Sequence, residues 1–133
     1  MNRRVLVFGT FDGLHAGHLF VLKQAKGEGD LLFVSVARDS YVRELKNKSP
    51  KKNELERLET IRQCSYVEDA ELSDETQGSY GVIQKFIPDV IVLGFDQKEL
   101  ESSIKKWMSE NKREIPIKFI KQLKNDEYGK NMG

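Results

Sequence analysis

Cysteine is almost missing from these 133 residues: Cys64 stands alone. One thiol cannot form an intramolecular disulfide, so the fold must rest on its core, and the composition fits a reducing compartment. Net charge is nearly missing as well. Twenty-two Lys and Arg face 21 Asp and Glu, which leaves +1 although 32% of the residues are charged. That balance excludes a broad nucleic-acid-binding face. No apolar run approaches the roughly 20 residues needed to cross a bilayer. Arg3 and Arg4 lead at once into an apolar strand, so no signal peptide is expected, and the location expected is cytoplasmic. Internal repeats, low-complexity segments and clusters of Asp and Glu that could cage a metal are all lacking. What is there, 38% hydrophobic residues, supplies one core of ordinary size, and a single domain over residues 1–133 is expected.

The apolar residues alternate between two periods. Val5 to Phe8, Leu31 to Ala37 and Val90 to Leu93 are continuous short runs, as in parallel strands covered on both faces. Tyr66 to Leu72 is a weak strand and Ile115 to Ile120 a last one. Helical spacing appears in Leu19, Val21, Leu22 and Ala25, then in Leu55, Leu58 and Ile61, and again in Leu100, Ile104, Trp107 and Met108. Shorter helices are expected over Tyr41 to Lys46, with Asp39 or Ser40 as the cap, and over Tyr80 to Phe86 before Pro88. The order β-α-β-α-α-β-α-β-α-β predicts a parallel α/β sheet with right-handed crossovers. In such sheets ligands sit beyond the carboxyl ends of the strands, at the switch in strand order. The loops after Phe8 and after Leu93 both lie at such ends.

The loop after the first strand is the informative one. Gly9-Thr-Phe-Asp-Gly-Leu-His-Ala-Gly-His18 runs from strand to helix, and places backbone N–H groups and a helix N-terminus where an anion would sit. His15 and His18 are the only two histidines, and residues three apart share a helix face. Two imidazole N–H groups aimed at one phosphate would stabilise charge developing there, and protonation would strengthen the bonds. A zinc site needs three or four ligands. The other typical soft ligand is Cys64, in a helical segment, so zinc is set aside. Gly17 either leaves room for a phosphate or base, or merely tightens the helix start.

Thr10-Phe-Asp-Gly-Leu-His-Ala-Gly-His18 resembles the GTFD…HxGH signature of the cytidylyltransferase-like nucleotidyltransferases. The resemblance covers about residues 4 to 120 and implies a Rossmann-like domain with helices on both faces of the sheet. It implies attack by a substrate phosphate on the α-phosphate of a nucleoside triphosphate, with pyrophosphate leaving. It further implies that Gly9, Thr10 and Phe11 present backbone to the nucleotide, together with His15, Gly17 and His18. By the same resemblance Gly94, Phe95, Asp96 and Gln97 hold the nucleoside, and Lys46 and Arg57 neutralise acceptor or pyrophosphate charge. Each has a plainer reading. Lys46 is one of several solvated lysines between positions 46 and 52, Arg57 is an exposed helix arginine paired with Glu54, and Gly94 to Gln97 is a turn after a buried strand. Asp39 either binds substrate or caps a helix.

Val-Ala-Arg-Asp39 and Leu-Gly-Phe-Asp-Gln97 look most similar to the archaeal-type FAD synthases, which transfer AMP from ATP to FMN. Glycerol-3-phosphate cytidylyltransferases, which use CTP, are the alternative. Mg²⁺ would accompany the triphosphate, and a homodimer is implied. Residues 121–133 depart from the family, whose closing segment carries an arginine and a Ser/Thr-rich helix start. Here there is no Arg, Ser or Thr, only Lys121, Lys124 and Lys130. That departure keeps open a protein that binds a nucleotide without turning it over, as a sensor or subunit. A purely structural module would leave the histidine loop unexplained.

Overall fold

The computed structural model describes residues 2–120. Five strands form one parallel sheet in the order β3-β2-β1-β4-β5. They are β1 (Arg4–Gly9), β2 (Leu31–Val36), β3 (Asp69–Leu72), β4 (Val90–Gly94) and β5 (Ile117–Ile120). The helices are α1 (Ala16–Lys26), α2 (Asp39–Lys46), α3 (Glu54–Arg62), α4 (Gly81–Phe86) and α5 (Lys98–Glu110). The chain builds outward from β1 to β2 and β3, then returns to the other side of β1 with β4. The strand order therefore reverses between β1 and β4. Their registers meet at Val5↔Val90 and Val7↔Val92, so the loops that follow them leave the sheet side by side.

Alternation along the strands divides the core into two layers. Val5, Val7, Leu32, Val34, Val90 and Val92 face one way and pack with Leu22 and Ala25 of α1 and Ile61 of α3. Leu6, Phe8, Phe33, Ile91 and Leu93 face the other way, against Ile83 and Phe86 of α4 and Ile104 and Trp107 of α5. Each fully buried Val, Leu or Ile contributes about 1.5–3 kcal/mol, which is why the continuous runs specify central strands.

Several expected boundaries shift. The weak strand shrinks to Asp69–Leu72 and the last strand to Ile117–Ile120. Helix α2 begins at Asp39 with Arg38 as its N-cap, so neither Asp39 nor Ser40 caps it. Leu19 and Leu55 prove exposed, at 40% and 66%. On α3 the buried stripe runs through Arg57, Leu58 and Ile61. At about 100° per residue, Leu55 is turned well away from Arg57, and the arginine rather than the leucine occupies the inner face.

Candidate active site

The two histidines form the N-terminus of α1 itself. His15 is the N-cap, with extended backbone (φ −135°), and its Nδ1 accepts from the Gly17 N–H at 3.1 Å. His18 reaches back, and its Nδ1 accepts from the His15 N–H at 3.4 Å. This is a capping box in which two imidazoles replace the usual Ser/Thr and Glu. The arrangement fixes the tautomers. A ring nitrogen that accepts from a backbone N–H carries no proton, so in each neutral ring the proton sits on Nε2. The rings stack, with centroids 3.8 Å apart and planes 20° from parallel. Burial pushes the His18 pKa down to about 4, helped by the charges of His15 and Lys46 and opposed by Asp12. His18 is thus a neutral Nε2–H donor at pH 7 in the ligand-free protein, without the added strength that protonation would give. Gly17 is buried, and its N–H is committed to the cap.

The preceding loop is held from both sides. Phe11 is buried, adopts φ +54° and sets its ring edge-on to His18 at 5.4 Å. A Cβ at Gly9 would lie 2.6 Å from the Phe11 ring, so a larger residue there would have to displace that ring. Asp12 accepts from the backbone N–H groups of Lys51 and Lys52, at 2.7 and 2.9 Å. Burial raises its pKa, but those two bonds and the charges of Arg57 and Lys51 outweigh this and hold it below the usual carboxylate value. In the sequence Asp12 is one residue of the loop that carries the histidines. A partner 39 residues away leaves no local signal.

Arg57 is 1% exposed, which corrects the picture of a surface arginine paired with Glu54. Its Nε donates to the Lys52 carbonyl and its Nη1 to the carbonyls of Thr10 and Ala37. Its Nη2 donates to Asp39 at 2.6 Å. One guanidinium so ties together the loops after β1 and β2 and the basic loop ahead of α3. Asp39 also accepts from the Glu54 N–H, while Glu54 accepts from the Asp39 N–H. Each acid thus satisfies the first orphan N–H of the other's helix. Of the two readings of Asp39, the structure supports a cap, but for α3 rather than α2. Lys46 ends α2, is exposed, and is close enough for its charge to act on His18.

At the other loop, the Gln97 side chain accepts from the Gly94 N–H at 2.8 Å and donates to the Phe8 carbonyl at 3.2 Å. It therefore clamps the ends of β1 and β4 together. Phe95 and Asp96 are exposed. Beside this clamp lies a cavity of about 690 Å³, a common size for a small-molecule site. Gly9 and Thr10 form part of its wall, as do Asp96 and Gln97. Its apolar surface comes from Phe8, Tyr41, Tyr80 and Leu100. Tyr80 is held edge-on to Phe8 and Trp107, and its hydroxyl donates to Ser103 at 2.7 Å. Lys121, Lys124 and Lys130 lie outside the described residues.

The sequence profile described as cytidylyltransferase-like matches residues 6–128. The chain belongs to that family. Among proteins of the family, an FAD synthase from Methanothermus fervidus is 40% identical, covering 92% of this chain and 97% of its own length. An FAD synthase from Pyrococcus abyssi is 44% identical, over 71% of this chain and 64% of its own. The chain also resembles a solved structure from Thermoplasma volcanium, called a lipopolysaccharide core biosynthesis protein. The TM-score is 0.83 at 35% identity, and the match covers 93% of this chain and all of that one. The fold and the nucleotidyltransferase activity expected from the histidine loop are thereby supported. No helix among the described residues is long and apolar enough to cross a membrane.

Proposed function

We propose that the protein transfers AMP from ATP to FMN, forming FAD and releasing pyrophosphate. The relative from Methanothermus fervidus, similar over nearly the whole of both chains, carries this reading. In the proposed reaction a phosphate oxygen of FMN attacks the α-phosphorus. The new O–P bond forms as the bond to the β-phosphate oxygen breaks, and pyrophosphate takes the departing electron pair. No covalent enzyme intermediate is required, so the protein contributes positioning and charge stabilisation. His15 and His18 offer Nε2–H donors to the α-phosphate, and Lys46 supplies a mobile positive charge nearby. Gly9 to Phe11 and Gly94 to Asp96 present backbone to the nucleotide. Arg57 and Asp39 act one step back, holding those loops in place.

Mg²⁺ fits this scheme as a companion of the triphosphate, where it neutralises phosphate charge. No group of three or more His, Cys, Asp or Glu gathers around a metal position among the described residues. Near the histidines, Asp12 and Asp39 are already committed to protein donors. The ion would therefore be carried by phosphate oxygens. The test is pyrophosphate release with Mg²⁺, crossing ATP and CTP against FMN, glycerol 3-phosphate and other phosphorylated alcohols. Release with ATP and FMN alone is the expected result. Release with CTP and glycerol 3-phosphate instead would replace the reading. Nucleotide binding without release from any pair would make the protein a sensor or subunit.

A further inference from the structure

Ser35 breaks the pattern of the sheet face it belongs to. That face, turned toward α4 and α5, is built of Leu6, Phe8, Phe33, Ile91 and Leu93, all buried. Ser35 lies on β2 in register with Phe8, two residues beyond Phe33. It is 1% exposed. Its hydroxyl is the one buried side-chain polar atom among the described residues without a hydrogen-bond partner. Buried polar groups are nearly always paired, so an orphan at this position calls for a reason. The reason lies in front of it: Ser35 forms part of the wall of the 690 Å³ cavity, among Phe8, Tyr80 and Val82. Phe8, Tyr80 and Val82 give that wall an apolar and aromatic part, while residues such as Thr10, Ser40, Ser73 and Asp74 make the rest of it polar. Such a wall, with the unpaired Ser35 hydroxyl within it, suits a flat ring system with a polar edge. The apolar part takes its faces, and the hydroxyl fixes its orientation.

We propose that Ser35 is the hydrogen-bonding anchor for the ring of the acceptor, and so a specificity-determining residue. This rests on the FMN reading above. A hydroxyl both donates and accepts, so it can meet either a ring carbonyl or a ring N–H. The bond would be made only when the ring is bound, and in the empty protein the hydroxyl is a cost rather than a support. That gives two opposite signs for one substitution, which a merely structural serine would not produce.

The experiment measures FMN and riboflavin binding by flavin fluorescence and visible absorption, with steady-state kinetics, for wild type, Ser35→Ala and Ser35→Cys. The cysteine keeps nearly the same volume while losing most of the hydrogen-bonding strength. Both variants are expected to melt no lower than wild type without ligand. Both should bind FMN about tenfold more weakly, the size of one good hydrogen bond. Riboflavin, which has the ring but no phosphate, should lose the same factor. The loss should fall on the KM for FMN, not on that for ATP, and the absorption shift of bound flavin should shrink. Variants that bind FMN within twofold of wild type, with an unchanged spectrum, overturn the proposal and leave the FMN reading standing. Weaker binding with a lower melting temperature and a raised KM for ATP overturns it too, as a packing effect. A wild-type protein that neither binds nor uses FMN overturns both.

Discussion

His18 is a cap and, in the proposed reaction, also a donor, and the two tasks constrain one another. Its Nδ1 is engaged by the His15 N–H, so only Nε2–H is left to face a phosphate. Removing one such preorganised donor costs roughly 10²–10³ in rate. His18→Ala should lower kcat by that factor, measured by pyrophosphate release, and activity within threefold of wild type would remove the assigned role. The depressed pKa gives a second prediction. The folded value of about 4 lies below the ordinary 6.5, so the unfolded chain binds a proton that the folded one refuses. Stability from this source is complete above pH 6.5 and is lost as pH falls toward about 4. Urea denaturation across that range should show the loss, and His18→Gln should flatten it. Nitrogen NMR should find the Nε2–H tautomer in the free protein, with a midpoint that rises when triphosphate binds.

At the level of elements, α3 matters more for its first turn than for its apolar stripe. The turn carries Arg57, and with it the carbonyls of Thr10 and Ala37 and the carboxylate of Asp39. Breaking a buried pair by removing one partner costs about 3–5 kcal/mol. Arg57→Ala should lose about that much in urea denaturation. Arg57→Lys should recover little, because one ammonium cannot span four acceptors that a planar fork reaches together. This is also where the sequence stopped being legible. The strand runs and the helical spacings are local signals, and the element order they predict is the one the structure has. The partners of Arg57, Asp12 and Gln97 lie up to 89 residues away. No periodicity records such pairs, so neither the charge-neutralising nor the exposed-helix reading of Arg57 includes its buried cross-link, and nothing local to Gln97 shows that it clamps β1 to β4. Ser35 is hidden in the sequence for a related reason. One serine inside an apolar run signals nothing until the strand's two faces are assigned.

For the whole molecule, the strand order explains why residues 9–18 and 94–97 can act together: they leave neighbouring parallel strands at the same end. A nucleotide spanning them should stabilise the fold by mass action, by about 2.7 kcal/mol at 100 times its dissociation constant. ATP with Mg²⁺ should therefore raise the melting temperature by several degrees, and CTP by less at equal concentration. A rise that is larger for CTP would reverse the nucleotide assignment. The Arg57 cross-link bears on something else again, the order in which the molecule comes together and apart. Its longest bond, to the Thr10 carbonyl, joins residues 47 apart, and such contacts are rewarded only after a long loop has closed. The strands around β1 need no help from α3 to pair, so the sheet can assemble before the site does. In reverse, a brief detachment of α3 releases three loops at once and leaves the central strands paired. Amides of residues 10–18, 37–39 and 51–57 should then exchange with solvent as one cooperative unit, at a lower opening free energy than those of β1 and β4. The loops of the candidate site would be the last part of this protein to fold and the first to be lost.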